Sequence, residues 1–259
     1  MFDTHCHLNF DAFDNVREKV IDEAREVGVK HFLVPAVDIE SSLSAIKIAN
    51  DYENVYATVG IHPTSVFTES DLSKSMQHLE DLVEENEKIV AIGEVGLDYY
   101  RNVNPARVQK IYLSEQIKLA SKLGLSLVLH SRHSTKDLLS LLEEKWNKAL
   151  FGRTVLHAAE AREDVLAFIE KNDIYVGIDG DITYDTKKQE FIKKVPITKL
   201  VLETDSPFLT PEPARSVKRF PNEPKNILLV AESVAKLKKL EISTVKNQTT
   251  INAKRLFAL

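Results

Sequence analysis

The sequence predicts an α/β fold, a single (β/α)8 TIM barrel over residues 1–259 with its active site at the C-terminal ends of the strands. Three observations predict it. Eight short β-rich apolar runs alternate with helically periodic segments. The length falls where one barrel is as expected as two smaller domains. Residues that carry chemistry collect at the ends of the runs, where barrel sites are built. An open doubly wound sheet would share the alternation, but such sheets usually keep a Gly-rich phosphate turn after the first strand. None follows the first run here.

The strand runs are MFDTHCHL (1–8), KHFLVPAV (30–37), NVYATVGIH (54–62), KIVAIGEVG (88–96), LSLVLHS (125–131), RTVLHAA (153–159), DIYVGID (173–179) and KLVLETD (199–205). Between them, VREKVIDEAREV, VQKIYLSEQIKLASKL and AREDVLAFIEKN space their apolar residues for one helical face. Gly28 and Gly124 stand where a helix must stop before the next strand. EPKNILLVAESVAKLKKL and ISTVKNQTTINAKRLF read as two closing helices. No low-complexity linker divides the chain.

Composition narrows the function. At 43% hydrophobic the chain can bury a full core, and its net charge of −5 argues against a broad basic face for intact duplex nucleic acid. Its one cysteine excludes an intramolecular disulfide and suits a reducing compartment. There is no stretch of transmembrane length and no signal-peptide pattern. A cytoplasmic monomer with no membrane partner is expected.

The run ends hold the site. His5 and His7 are i and i+2 on the first run, so both point one way, with Asp3 below them and Thr4 and Cys6 opposite. Two neutral imidazoles can chelate a metal, although an isolated H-x-H is as often a pair of satisfied polar residues. The third run ends in His62, the fourth carries Glu94, the fifth His130, the sixth His157, the seventh Asp179, the eighth Glu203 and Asp205. Five of the eight histidines stand at such ends, whereas His78 falls on a helical stretch. Four histidines and two or three carboxylates exceed the needs of one tetrahedral zinc. They suit two divalent ions with Glu94, beside His130, as the bridge.

In order and spacing, DTHCHL, GIHP, GEVGLD, LHSR and LETDSPFLTP resemble the TatD-type metal-dependent deoxyribonucleases of the amidohydrolase-like barrels, over essentially the whole chain. The resemblance implies that His5, His7, Glu94 and Asp205 hold one metal. Glu94, His130 and His157 would hold a second, with Glu94 shared. It implies Mg²⁺, Mn²⁺ or Zn²⁺ as cofactor and removal of nucleotides from DNA ends, 3′ to 5′, so single-stranded or frayed DNA is the expected partner. Three segments depart from the pattern. Ala158-Ala159-Glu160-Ala161 replaces a loop of Phe, Ser and Gly. Asp179-Gly180 replaces Ser-Gly, although Thr183 still matches. Arg215-Ser-Val-Lys-Arg-Phe-Pro replaces Arg-Gly-Lys-Arg.

The remaining candidates are weaker signals. Arg132, Arg215, Lys218 and Arg219 are placed to grip phosphate, against the ordinary reading of surface charge. Tyr99 and Tyr100 could stack on a terminal base, or pack and cap. Asp98 reads as orienting a ligand, or as a turn cap. His62 reads as a substrate contact or proton donor, and Glu203 as support for a ligand or as a further ligand. Asp205, with Glu94, is the expected catalytic carboxylate, its proton-accepting role competing with a cap on the Ser206-Pro207 turn. Cys6 should be inert. Two rivals remain: a barrel hydrolysing amides, lactones or phosphotriesters, and a non-catalytic scaffold with a relic metal. Two-metal barrels of the first kind usually bridge with a modified lysine on the fourth strand, and VAIGEVG has none.

Overall fold

The computed structural model describes residues 1–66, 68–101 and 103–259. Its strands are β1 (Phe2–Asp3), β2 (His31–Val34), β3 (Val55–Val59), β4 (Ile89–Asp98), β5 (Ser126–Arg132), β6 (Thr154–Leu156), β7 (Tyr175–Ile178) and β8 (Leu200–Leu202). All neighbours pair in parallel, in chain order, as one eight-stranded sheet. Between strands run α1 (Arg17–Glu26), α2 (Ile39–Asp51), α3 (Leu72–Glu85), α4 (Ala106–Leu123), α5 (Thr135–Lys145), α6 (Glu163–Asn172) and α7 (Thr186–Lys194). After β8 come α8 (Ile227–Lys238) and α9 (Ile242–Phe257).

Local chemistry sets these boundaries. Asp38 begins α2 with a reciprocal capping box: its carboxylate accepts from the Ser41 N–H at 2.8 Å, and Ser41 Oγ accepts from the Asp38 N–H at 2.8 Å. Gly124 ends α4 at φ 65°, a left-handed conformation that costs glycine nothing.

The barrel closes beyond its regular strands. Thr4 N–H donates to the Leu202 carbonyl at 3.0 Å, Asp205 N–H to His5 at 2.9 Å and His7 N–H to Ser206 at 2.7 Å, and Cys6 bridges Ser206 in parallel. The first and eighth runs therefore make shorter strands than their sequences predict. His5, His7, Glu203 and Asp205 stand on an irregular rim, with Asp205 at φ 51°. The buried Asp3 carboxylate explains this, because it takes the N–H groups of Thr204 (3.1 Å) and His5 (3.3 Å) that a regular ladder would give to carbonyls. Strand β4 is irregular too. Its pairing with β5 shifts register between Ile92 and Val95, and the Glu94 N–H reaches the Ala36 carbonyl at 2.7 Å. Such a shift re-aims a side chain, here Glu94.

Phe2, Leu33, Val90, Val128, Val155, Tyr175 and Val201 form a buried cluster joined by Ala253, Leu256 and Phe257 of α9. Ser126, at the start of β5, donates through Oγ to the Leu256 carbonyl. Helix α9 thus seals the end where the strands begin. The end where they finish is left for chemistry.

Candidate metal centre

Seven polar side chains converge where the strands finish. His5 and His7 face each other with their Nε2 atoms 3.3 Å apart, so the i, i+2 alternation survives although the regular strand does not. Glu94 divides its oxygens between two groups of histidines. Oε2 lies 3.3 Å from His5 Nε2 and 3.8 Å from His7 Nε2. Oε1 lies 2.7 Å from His130 Nδ1 and 4.0 Å from His157 Nε2. Asp205 Oδ1 sits 3.8, 3.5 and 3.7 Å from Nε2 of His5, His7 and His157. Compact ligand sets follow: His5–His7–Glu94, His5–His157–Asp205 and His62–Glu94–His130.

The residues fit divalent cations. His5 is fully buried, and His7, Glu94 and His157 nearly so. Lone pairs of imidazole nitrogens and carboxylate oxygens crowd together there with few hydrogens to share. Packing so many acceptors away from water is costly unless a cation gathers them. His5 Nδ1 and His7 Nδ1 are buried and have no hydrogen-bond partner among the described residues. Cys6 takes no part, since its Sγ points at the Leu33 carbonyl 3.5 Å away. A set of imidazole and carboxylate without thiolate suits Zn²⁺, Mn²⁺ or Mg²⁺.

The surrounding shell orients these groups. Glu203 Oε1 accepts from His157 Nδ1 at 2.9 Å and from the Ala158 N–H at 2.8 Å, which leaves His157 Nε2 facing the cluster. A Cβ on Gly177 of β7 would fall 2.3 Å from Glu203 Oε2, so only glycine admits that carboxylate. Asp98 Oδ2 lies 3.2 Å from His130 Nε2, while its Oδ1 caps the Arg101 N–H at 2.8 Å. His62 Nδ1 accepts from the Thr64 N–H at 3.2 Å, which puts the ring proton on Nε2, 3.7 Å from Glu94 Oε1.

Charge states follow burial and neighbours. Burial alone would raise the Glu94 carboxyl, but His5, His62 and His130 hold it well below the usual carboxylate range. Burial opposes charge on His157 as well. There the carboxylates of Glu203, Asp205 and Glu94 win and push it up to about 10. Burial lowers His62 to about 3, so it is a neutral hydrogen-bond donor at neutral pH and not an imidazolium ready to release a proton.

The cluster opens into a cavity of about 920 Å³. Phe10 and Phe208 form one wall beside His7, and Arg101, Arg132, Arg162, Lys187 and Lys188 stand among the other lining residues.

Comparison with known proteins identifies the family. The model of the TatD-related DNase family matches residues 2–258. This chain belongs to that family. It is a TatD-type metal-dependent hydrolase. It is similar to YabD of Bacillus subtilis, called a metal-dependent hydrolase, at 35% identity over all of this chain and 99% of the relative. It is also similar to the 3′-5′ ssDNA/RNA exonuclease TatD of Cronobacter sakazakii, at 33% identity over 99% of this chain and 97% of the other. Among solved structures, the TatD homologue YjjV of Escherichia coli superposes with a TM-score of 0.90 at 29% identity, covering all of this chain and 98% of that one.

Within this TatD barrel, several expected substrate contacts stand elsewhere. The Tyr99 hydroxyl donates to Asp137 at 2.9 Å and its ring packs on the core, so Tyr100 is the exposed member of that pair. Arg215 lies 4.1 Å over the Tyr184 ring and pairs with Glu212 at 3.4 Å. Arg219 pairs with Glu223 at 3.6 Å, and neither it, Arg215 nor Lys218 lines the cavity. The cause is local. Asn222 Nδ2 donates to the carbonyls of Thr204 (2.9 Å) and Phe208 (2.7 Å), folding the loop so that Phe208 and Leu209 reach the mouth instead. The Asp205 carboxylate faces histidines. What holds the Ser206-Pro207 turn is its backbone, with the Phe208 N–H on the Asp205 carbonyl at 2.8 Å.

Sequence reasoning missed Arg101, Arg162, Lys187 and Lys188. Their position was the available signal, because each follows the end of β4, β6 or β7. The atypical Asp179 is buried, and caps the next turn while pairing with Lys188 at 3.2 Å.

Proposed function

We propose that the chain is a deoxyribonuclease that removes nucleotides from DNA ends, in the 3′ to 5′ direction, with two divalent ions at the barrel mouth. His5, His7, Glu94 and Asp205 would hold one ion, and Glu94, His130 and His157 the other. The observation that carries this reading is the division of Glu94, with Oε2 toward His5 and His7 and Oε1 toward His130 and His157. When bound, such ions polarise phosphoryl oxygens and make coordinated water acidic.

The chain's own residues do the rest. Asp205, on the rim of the cluster, accepts the proton of the attacking water through Oδ1. Neighbouring His7, His157 and His5 keep that carboxyl below its ordinary value although burial works the other way. Glu203 fixes the His157 ring and Asp98 the His130 ring. His62, donating from Nε2, can hold a non-bridging phosphate oxygen. The recessed mouth favours a strand end or an unpaired nucleotide over the middle of a duplex, since a −5 protein lacks the basic face that would grip one.

The test uses end-labelled single-stranded and duplex DNA with Mg²⁺, Mn²⁺ or Zn²⁺, each against EDTA. A metal-dependent ladder growing from the 3′ end is expected, with undamaged closed circles left intact. Hydrolysis of lactones or phosphotriesters without any DNA ladder would replace this reading with the rival barrel chemistry. A protein that binds metal and cuts nothing would be the scaffold.

A further inference from the structure

The corner of the mouth formed by β4 and β5 is built unlike the rest of the cavity. Tyr100 is 56% exposed, a large ring left largely in water. The Arg132 guanidinium lies over that ring, its carbon 3.9 Å from the centroid, and the His133 ring meets the Tyr100 edge at 5.1 Å. Arg101 is next in the chain, and Arg101, Arg132 and His133 all line the cavity. Arg162, Lys187 and Lys188 also line it, and carboxylates neutralise two of these three: Asp164 holds Arg162 at 2.6 Å and Asp181 holds Lys188 at 2.5 Å, while Lys187 stands on α7, after β7. Neither Arg101 nor Arg132 has a carboxylate within ion-pair distance among the described residues.

This corner is fixed to the metal centre. Arg132 follows His130 by two residues on β5, so both project to the same side. They stand about 6.6 Å apart along the strand at 3.3 Å per residue. Asp98 and Arg132 are register partners, and the Tyr99 N–H donates to the Arg132 carbonyl at 2.9 Å. A stacked guanidinium keeps two recognition features free. Its N–H edge can hold a phosphate, and its outward plane can carry a nucleobase. Of the acidic groups at the mouth, Asp181 and Asp185 follow β7, whereas Glu160 reaches this corner, where its carboxylate accepts from the His133 N–H at 3.0 Å and the Thr135 hydroxyl at 2.6 Å.

We propose that Tyr100, Arg132 and Arg101 form a subsite for the nucleotide flanking the scissile bond, its base stacked on the guanidinium of Arg132 and its phosphate held by Arg132 and Arg101. The inference rests on the phosphodiesterase reading and deepens it by naming a second point of grip on a single strand. Base-on-plane stacking is indifferent to base identity, so the subsite reads the presence of a base and not its sequence.

The test compares two tetradeoxynucleotides in Mn²⁺: one with all its bases, the other abasic at the flanking position. In the wild type, loss of that base is expected to raise KM about tenfold with little change in kcat, a scale typical of one stacked base. In Arg132→Ala and in Tyr100→Ala the two substrates should become nearly equal. Arg132→Lys should also lose the base effect while keeping most of the salt dependence, because the charge stays and the plane goes. Anisotropy titrations of the same oligonucleotides on EDTA-treated protein should show the same pattern in Kd. A tenfold base effect that persists in the Ala variants, or is missing from the wild type, overturns the subsite. Failure of the wild type to cut either oligonucleotide overturns the phosphodiesterase reading instead.

Discussion

Glu203 does its work through another side chain. One oxygen accepts both the His157 ring N–H and the Ala158 backbone N–H. An amide oxygen can accept the same two bonds, so Glu203→Gln is expected to keep metal content and lose less than about tenfold in kcat. Glu203→Ala strands a buried imidazole and should lose metal at the His157 position, as removal of such support commonly costs 10–100-fold in affinity. Metal analysis beside kcat separates the two, and equal damage from both would mean that the charge itself is needed. Asp205 is different, because its oxygen faces the reacting space. Asp205→Asn should retain the fold but cut turnover by about 10²-fold, the usual loss for a positioned general base. Turnover within a few-fold of wild type would assign the proton to another group.

At the scale of elements, β4 and β7 each break regularity for the site. The register shift in β4 turns Glu94 inward, and Gly177 in β7 makes room for Glu203. Gly177→Ala adds a single methyl, yet it would lie 2.3 Å from Glu203 Oε2. Glu203 must then leave His157, so the variant is expected to resemble Glu203→Ala in metal loss while melting close to wild type. A variant with full metal content would show that the carboxylate has room to move.

The whole molecule should feel the metal and the pH together. A site assembled only in the fold stabilises the folded state on binding, by about 2.7 kcal/mol at a hundred times Kd. Thermal melts should therefore rise with Mn²⁺ or Zn²⁺ and fall in EDTA, and no shift would refute a built site. In metal-free protein, Asp3 sets a second dependence. Burial raises its carboxyl from the ordinary 3.8 to about 8. The Thr204 hydroxyl lies 2.7 Å from Asp3 and 2.9 Å from Ser206 and has one hydrogen, so a protonated Asp3 completes the chain of bonds. The fold thus binds this proton more tightly than the unfolded chain. Its contribution is present at low pH and is lost as pH rises through about 8. Stability in EDTA should decline between pH 5 and 8 by at most about 1.4 kcal/mol per unit. Asp3→Asn should flatten that decline, and an unchanged slope would assign it to other groups.

What the sequence determined by itself was periodic or nearest-neighbour in origin. Alternating runs and helical faces specified eight strands, and i, i+2 spacing set His5 beside His7, because a side chain's direction depends on its own backbone. The strand ends marked the place for His130, His157, Glu94 and Asp205. What only the tertiary structure decided depended on groups distant along the chain. Asp3 meets Thr204 across 201 residues and shortens both closing strands. Glu203 meets His157 across 46, and Asn222 folds its loop back on Thr204 so that Arg215, Lys218 and Arg219 leave the mouth to Phe208. Tyr99 and Tyr100 are adjacent and chemically identical. Only the packing of α5, which offers Asp137 to Tyr99, leaves Tyr100 to the solvent and to Arg132. Local pattern fixes where a side chain starts, whereas its partners, which decide what it can bind, arrive from elsewhere in the fold.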